Sequence, residues 1–177
     1  MPGYLVIRVD DGGTYVGGLM VTDQHGLPLD FRYTDPVTPT RLQRALYGGV
    51  LDRYLRTEVV LRTLLGALET RPAVLITDDE ALLEAAEAGR PVAVWAATNG
   101  AAIGPAGTRQ DEGSGARVLQ VAEDEPPLRI RVAPGDGGTR ERVAEDLVRL
   151  GKGMQVREPA ERVHQALDLI AAGDIEG

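Results

Sequence analysis

The sequence predicts an α/β protein: a mixed sheet with an antiparallel meander at its start and a parallel βαβ unit at its centre, with helices packed on the sheet. Two observations carry this. The first three apolar runs are separated by Asp- and Gly-rich tetrapeptides, short enough only for hairpins. Later, two short apolar runs flank a stretch of helical character, the signature of a right-handed parallel crossover.

The elements follow in order. Tyr4 to Val9 (YLVIRV) is apolar and β-branched, a strand. Asp10-Asp11-Gly12-Gly13 is a tight turn, and the second strand runs from Thr14 to Thr22. Asp23-Gln24-His25-Gly26 turns again, with Gly26 suited to positive φ. Pro28 to Tyr33 is the third strand, with Leu29, Phe31 and Tyr33 on one face. Asp35-Pro36-Val37-Thr38-Pro39 breaks the pattern, because each proline holds its predecessor extended. Thr38 or Thr40 then caps a helix whose Leu42, Ala45 and Leu46 share a face. Gly48-Gly49 ends or bends it, and Val50 to Leu68 is a longer helix with a stripe of Leu61, Leu64, Leu65 and Leu68.

Arg71-Pro72 stops that helix. Ala73 to Thr77 is a strand buried on both faces. Thr77-Asp78-Asp79-Glu80 fits a capping box, Ala81 to Ala88 a helix, Gly89 its cap, and Pro91 to Ala96 the next strand. Residues 100–116 are rich in small residues and read as a mobile loop or insertion. Arg117 to Val121 and Leu128 to Val132 form a hairpin near a sheet edge. Pro134 to Gly138 turns into the closing helices, Arg140 to Leu150 and Pro159 to Ala172. One domain over residues 1–177 accounts for the whole pattern.

Composition narrows the function classes. A net charge of -8 disfavours general nucleic-acid or anionic-membrane binding. The absence of cysteine removes disulfides, thiolate catalysis and common zinc sites. Eighteen of the 19 basic residues are arginine, which leaves Lys152 as the single candidate for lysine chemistry. The opening MPGYLVIRVDDGG lacks the pattern of a signal peptide, and cytoplasmic location is the default expectation.

Four places could carry a site. Asp78 and Asp79 follow one strand of the parallel pair; Thr98 and Asn99 follow the other, where α/β sheets bind ligands. Two carboxylates there suit a metal or acid–base chemistry, although helix capping alone accounts for them. The Gly135–Thr139 loop before a helix suits phosphate, but Walker and GxGxxG spacings are absent and a plain turn explains it. Asp10-Asp11 before two glycines lacks the calcium-loop spacing, so a hairpin turn explains it too. Arg32, Tyr33 and Tyr47 cluster aromatic and cationic groups, either core packing or a partner-binding face. No catalytic residue and no metal ligand set stands out, and His25 and His164 read as satisfied polar residues.

The block around these tyrosines carries a resemblance. Gly17, Gly18, Asp23, Gly26, Pro28, Leu29 and Phe31, then Thr34, Pro36, Val37, Pro39, Thr40, Gln43, Leu46, Tyr47 and Gly48, resemble the GG-hydrophobic-D-x-x-G-x-P-L-x-F and T-x-P-V-x-P-T-x-x-Q-x-x-L-Y-G pattern of an uncharacterised bacterial protein family. The resemblance implies no catalytic residues. The D-x-x-G-x-P turn is also similar to that of roadblock-type scaffold domains, from which the proline corner and the βαβ unit depart. The leading expectation is a non-enzymatic cytoplasmic binding or scaffold protein acting through protein contacts. Its partner is another protein, or itself in a homo-oligomer; no cofactor is expected, and nucleic acid is disfavoured. The alternatives are a small-ligand or metal-dependent enzyme at the strand ends near Asp78 and Asn99, and a phosphate or nucleotide binder at Gly135–Thr139.

Overall fold

The computed structural model describes residues 1–83, 92–97, 100–133 and 137–174. Eight strands form one mixed sheet in the order β3-β2-β1-β4-β5-β8-β7-β6. β1 (Pro2–Val9), β2 (Tyr15–Thr22) and β3 (Pro28–Tyr33) are the antiparallel meander. β4 (Val74–Thr77) lies parallel to both β1 and β5 (Val92–Ala97). β8 (Leu128–Ala133), β7 (Ala116–Leu119) and β6 (Arg109–Asp111) extend the sheet antiparallel. The mixed α/β architecture expected from the sequence is therefore present. Of the expected crossover helix, residues 84–88 lie outside the described residues, as does Gly89; residues 80–83 form a short helical turn. Segment 100–116 contains β6, so the 117–132 hairpin is second to the edge.

The local chemistry explains the turns. Asp23 Oδ1 accepts the N–H groups of His25 (2.8 Å) and Leu27 (2.9 Å). These backbone bonds hold its carboxyl below the usual range. Gly26 follows at φ 80°, a conformation that disfavours a side chain. Thr40, not Thr38, caps α1 (Arg41–Tyr47) through a reciprocal capping box with Gln43.

The chain from Leu51 to Ala67 is one continuous helical run with an irregular middle. α2 (Leu51–Tyr54) passes into a π-helical stretch (Leu55–Leu61) and then α3 (Arg62–Ala67). Such widened turns frequently mark functional sites. Strand alternation then sorts the core into two layers. Leu5, Ile7, Leu19, Val21 and Leu75 face Leu55, Val60, Leu61 and Leu64. Tyr4, Val6, Met20, Val74 and Ile76 face α4 (Gly137–Gly151) and α5 (Glu158–Ala172) through Val143, Leu147, Val163 and Leu167. Helices thus cover both faces of the sheet.

Gly17 and Gly18 make this double cover possible. A Cβ on Gly17 would stand 2.2 Å from Val60 Cγ1, and one on Gly18 would stand 2.9 Å from Val163 Cγ1. One glycine admits the π-helical stretch and its neighbour admits α5 on the other side. The expected apolar face of α1 is a correction. Leu42 and Leu46 are 67% and 73% exposed, and α1 buries no residue. The following helical run occupies the sheet face instead, so the short α1 has no apolar surface left to cover.

Candidate functional site

The carboxyl ends of β1 and β4 gather several charged contacts from both faces of the sheet. Strand alternation carries past Thr77 and turns consecutive residues to opposite faces. Asp78 continues the Val74/Ile76 side and meets α5, where His164 Nε2 lies 3.2 Å from its Oδ2. Asp79 continues the Leu75/Thr77 side and is ion-paired with Arg56 of the π-helical stretch. The two carboxylates therefore do not form the paired site expected from sequence. Among the described residues, no group of three His, Asp or Glu side chains is placed to hold a metal ion. Thr98 and Asn99 lie outside the described residues.

Asp79 also serves as the local cap. Its N–H donates to Thr77 Oγ1 (3.2 Å) and its Oδ1 accepts from Ala81 N (3.0 Å). The cap is thus Asp79 rather than the Thr77–Glu80 box. Beside it runs a polar chain. Arg56 Nε donates to both carboxylate oxygens of Asp52 at 3.0 Å, and the Tyr15 hydroxyl donates to Asp52 Oδ1 at 2.8 Å. Burial, reinforced by the hydrogen bond to Asp52, pushes the Tyr15 hydroxyl above its ordinary range. Arg56 is 18% exposed and Asp79 19%, so this pair is largely withdrawn from water. Arg56→Met should lower stability by about 1.5–3 kcal/mol, the value of charge-assisted hydrogen bonds. Arg62→Met breaks only an exposed pair with Glu58 and should cost under about 1 kcal/mol. Urea unfolding midpoints compare the two, and equal costs would show that Arg56 is not a structural tie.

On the α5 side, the last side chain of β1 is that of Arg8, which shares the face of Tyr4 and Val6. Arg8 is ion-paired with Asp168, one turn beyond His164 on α5. The i,i+4 spacing puts His164 and Asp168 on one helix face. Arg8, Asp168, His164 and Asp78 thus form one exposed group over two adjacent parallel strands. Nearby on the same sheet face, Arg157 stacks over the ring of Trp95, the single tryptophan, at 5.4 Å. In the neutral ring, a hydrogen bond from Nε2 to Asp78 leaves Nδ1 as the free base.

The other expected sites are dispersed. Arg32 is engaged by Asp30 (3.1 Å) and Glu69 (3.3 Å). Tyr33 is exposed beside Phe31, whose packing lies on the α4/α5 face. Tyr47 stacks on Tyr54 at 4.6 Å and packs on the opposite face. The three do not share a surface, because alternate β3 residues point oppositely. Gly135 and Asp136 lie outside the described residues, and α4 begins at Gly137. A cleft of about 380 Å³ lies at the amino ends of β1 and β4, beside Pro2, Val74 and Leu150. Its rim carboxylates, Asp23 and Asp146, are already engaged by backbone N–H groups and Arg149.

Arg8, Asp168, Arg56 and Asp52 were not singled out from sequence, and His164 was read there only as a satisfied polar residue. Two signals pointed to them: a lone cation at the inner end of an apolar strand, and His and Asp at helical spacing.

The chain matches no protein-family model and no curated protein. Its fold matches solved structures. Endonuclease V from Streptomyces avermitilis is similar at TM-score 0.66 and 15% identity, over 98% of this chain and 82% of that one. Endonuclease V from Bacillus subtilis gives 0.63 and 17%, over 97% and 81%. Ciona intestinalis Endonuclease V, in complex with a 24mer DNA containing an inosine followed by a ribo-adenosine, gives 0.59 and 10%, over 96% and 86%. Identities this low establish the fold alone.

These likenesses overturn the expectation of a non-enzymatic protein-binding scaffold to which nucleic acid is disfavoured. That expectation rested on two weak supports. The absence of a familiar motif says little when the interacting groups come from separate strands and helices. A net charge of -8 is a whole-chain sum, whereas residues 36–51 carry two arginines and no carboxylate. No helix among the described residues is long and apolar enough to cross a membrane.

Proposed function

We propose that this chain is a cytoplasmic protein of one domain that acts on nucleic acid, hydrolysing a phosphodiester at the carboxyl ends of β1 and β4. The observation that carries the reading is the His164–Asp78 contact on a fold shared with Endonuclease V structures. Asp78 orients the imidazole and stabilises its protonated form. Nδ1 takes a proton from water as the water oxygen attacks phosphorus. The phosphorus–oxygen bond to the leaving sugar then breaks; the departing oxygen takes a proton from solvent water, and the imidazolium returns its proton to solvent. Because no described group suits a metal, no step here uses one.

The direct test incubates the protein with labelled single- and double-stranded DNA and RNA at low salt, including strands containing inosine. Products are separated on denaturing gels, and binding is followed by the fluorescence of Trp95. The expected result is binding that weakens with salt, because added salt lowers the gain from releasing counterions, with internal cleavage of at least one substrate. Neither binding nor cleavage of any strand would refute the reading.

A further inference from the structure

The two ion pairs at the strand ends differ in how they are held. Arg56 is mostly buried and bridges two carboxylates, Asp52 and Asp79. Arg8 and Asp168 are 43% and 64% exposed. An exposed pair of this kind is held weakly, because water solvates both partners when it opens. Arginine, in contrast, binds a phosphate through a planar fork of two charge-assisted hydrogen bonds. Arg8 also stands where the proposed substrate must pass. Its partner Asp168 and the base His164 share one face of α5, four residues apart. Asp78 is the other carboxylate of the group, and it is already turned to His164.

We propose that Asp168 acts as a built-in competitor for the phosphodiester: it occupies Arg8 in the free protein, and the substrate phosphate displaces it. The inference rests on the nucleic-acid reading above and assigns that site a phosphate-anchoring residue and a gate. Only a strand that can place a phosphate at Arg8, beside His164, opens the pair. Strands held elsewhere on the acidic surface do not. The carboxylate therefore weakens all binding in return for selectivity toward correctly seated phosphates.

A double-substitution cycle in binding tests this. A fluorescein-labelled single-stranded DNA is titrated with the full chain and followed by anisotropy at low salt. Asp168→Asn should tighten binding about tenfold, within the range of directly interacting residues. Glu145→Gln removes the same charge from the exposed side of α4 and should change binding by less than about twofold. Arg8→Gln should weaken binding, and in that background Asp168→Asn should give no gain. Two results would overturn the gate: an Asp168→Asn affinity equal to the unsubstituted protein, or a gain that persists without Arg8. The second would mean that the carboxylate acts only through general repulsion. Loss of binding by every form, the unsubstituted chain included, would instead sink the nucleic-acid reading and the gate with it. Thermal unfolding of each variant confirms that folded protein is compared.

Discussion

His164→Ala is expected to slow nucleic-acid cleavage by about 10²–10⁴-fold, the usual value of a positioned proton-transfer group. Binding should change by no more than about twofold, since the ring is placed to move a proton rather than to hold the strand. Asp78→Asn should give a smaller loss, because the imidazole remains but loses its orienting carboxylate. His25→Ala is the control. His25 sits in the β2–β3 turn, at the amino end of β1, whereas Asp78, the partner of His164, follows the carboxyl end of β4. Single-turnover rates with excess enzyme separate the chemical step from binding. An His164→Ala rate equal to that of His25→Ala would remove the histidine from the mechanism. The stability of His164→Ala should be nearly unchanged, as the side chain is partly exposed and its single hydrogen bond is to an exposed carboxylate.

Gly17→Val is expected to be the most damaging substitution in the sheet. Two effects oppose each other even for Gly17→Ala. Removing glycine from a strand interior gains about 0.5–1 kcal/mol in backbone entropy. Forcing a methyl group to 2.2 Å from Val60 Cγ1 displaces the π-helical stretch, at a cost of about 1–3 kcal/mol for an overpacked core. Overpacking wins, and valine adds two further carbons to the same contact. Gly66→Ala provides the opposite sign: its Cβ meets nothing within 4 Å, so helix propensity alone acts and stability should rise by about 0.4–1 kcal/mol. Urea unfolding of the three variants gives the order. A Gly17→Ala protein as stable as Gly66→Ala would show that β2 and the helix are not closely packed.

Much of the fold was legible because its signals are local. The turns at Asp10–Gly13 and Asp23–Gly26, the cap at Thr40, the first-turn proline Pro159 and the alternation in β1 each involve residues a few positions apart. The Gly17-Gly18 pair was visible too, but its reason was not. Nothing near it in sequence reveals that Val60 and Val163 press on it from opposite sides. The exposed face of α1 was misread for a related reason. An apolar stripe shows that a helix could be buried, and only competition with a better-placed helix decides whether it is.

The candidate site shows the same division more sharply. Sequence located Asp78 and Asp79 at a strand end, where ligands gather, and there it stopped. Their adjacency suggested a shared role, yet the two-residue period of a strand sends them to opposite faces. Their partners, His164 and Arg56, come from helices 86 residues later and 23 residues earlier in the chain. The sequence by itself determined most of the element types, the mixed sheet and the charge available to the surface, all set by short-range periodicity and composition; it missed β6 and the π-helical stretch. Tertiary structure alone decided which charges meet, because partner choice depends on how α5 and the π-helical stretch cross the sheet, and that crossing is fixed by packing over the whole core.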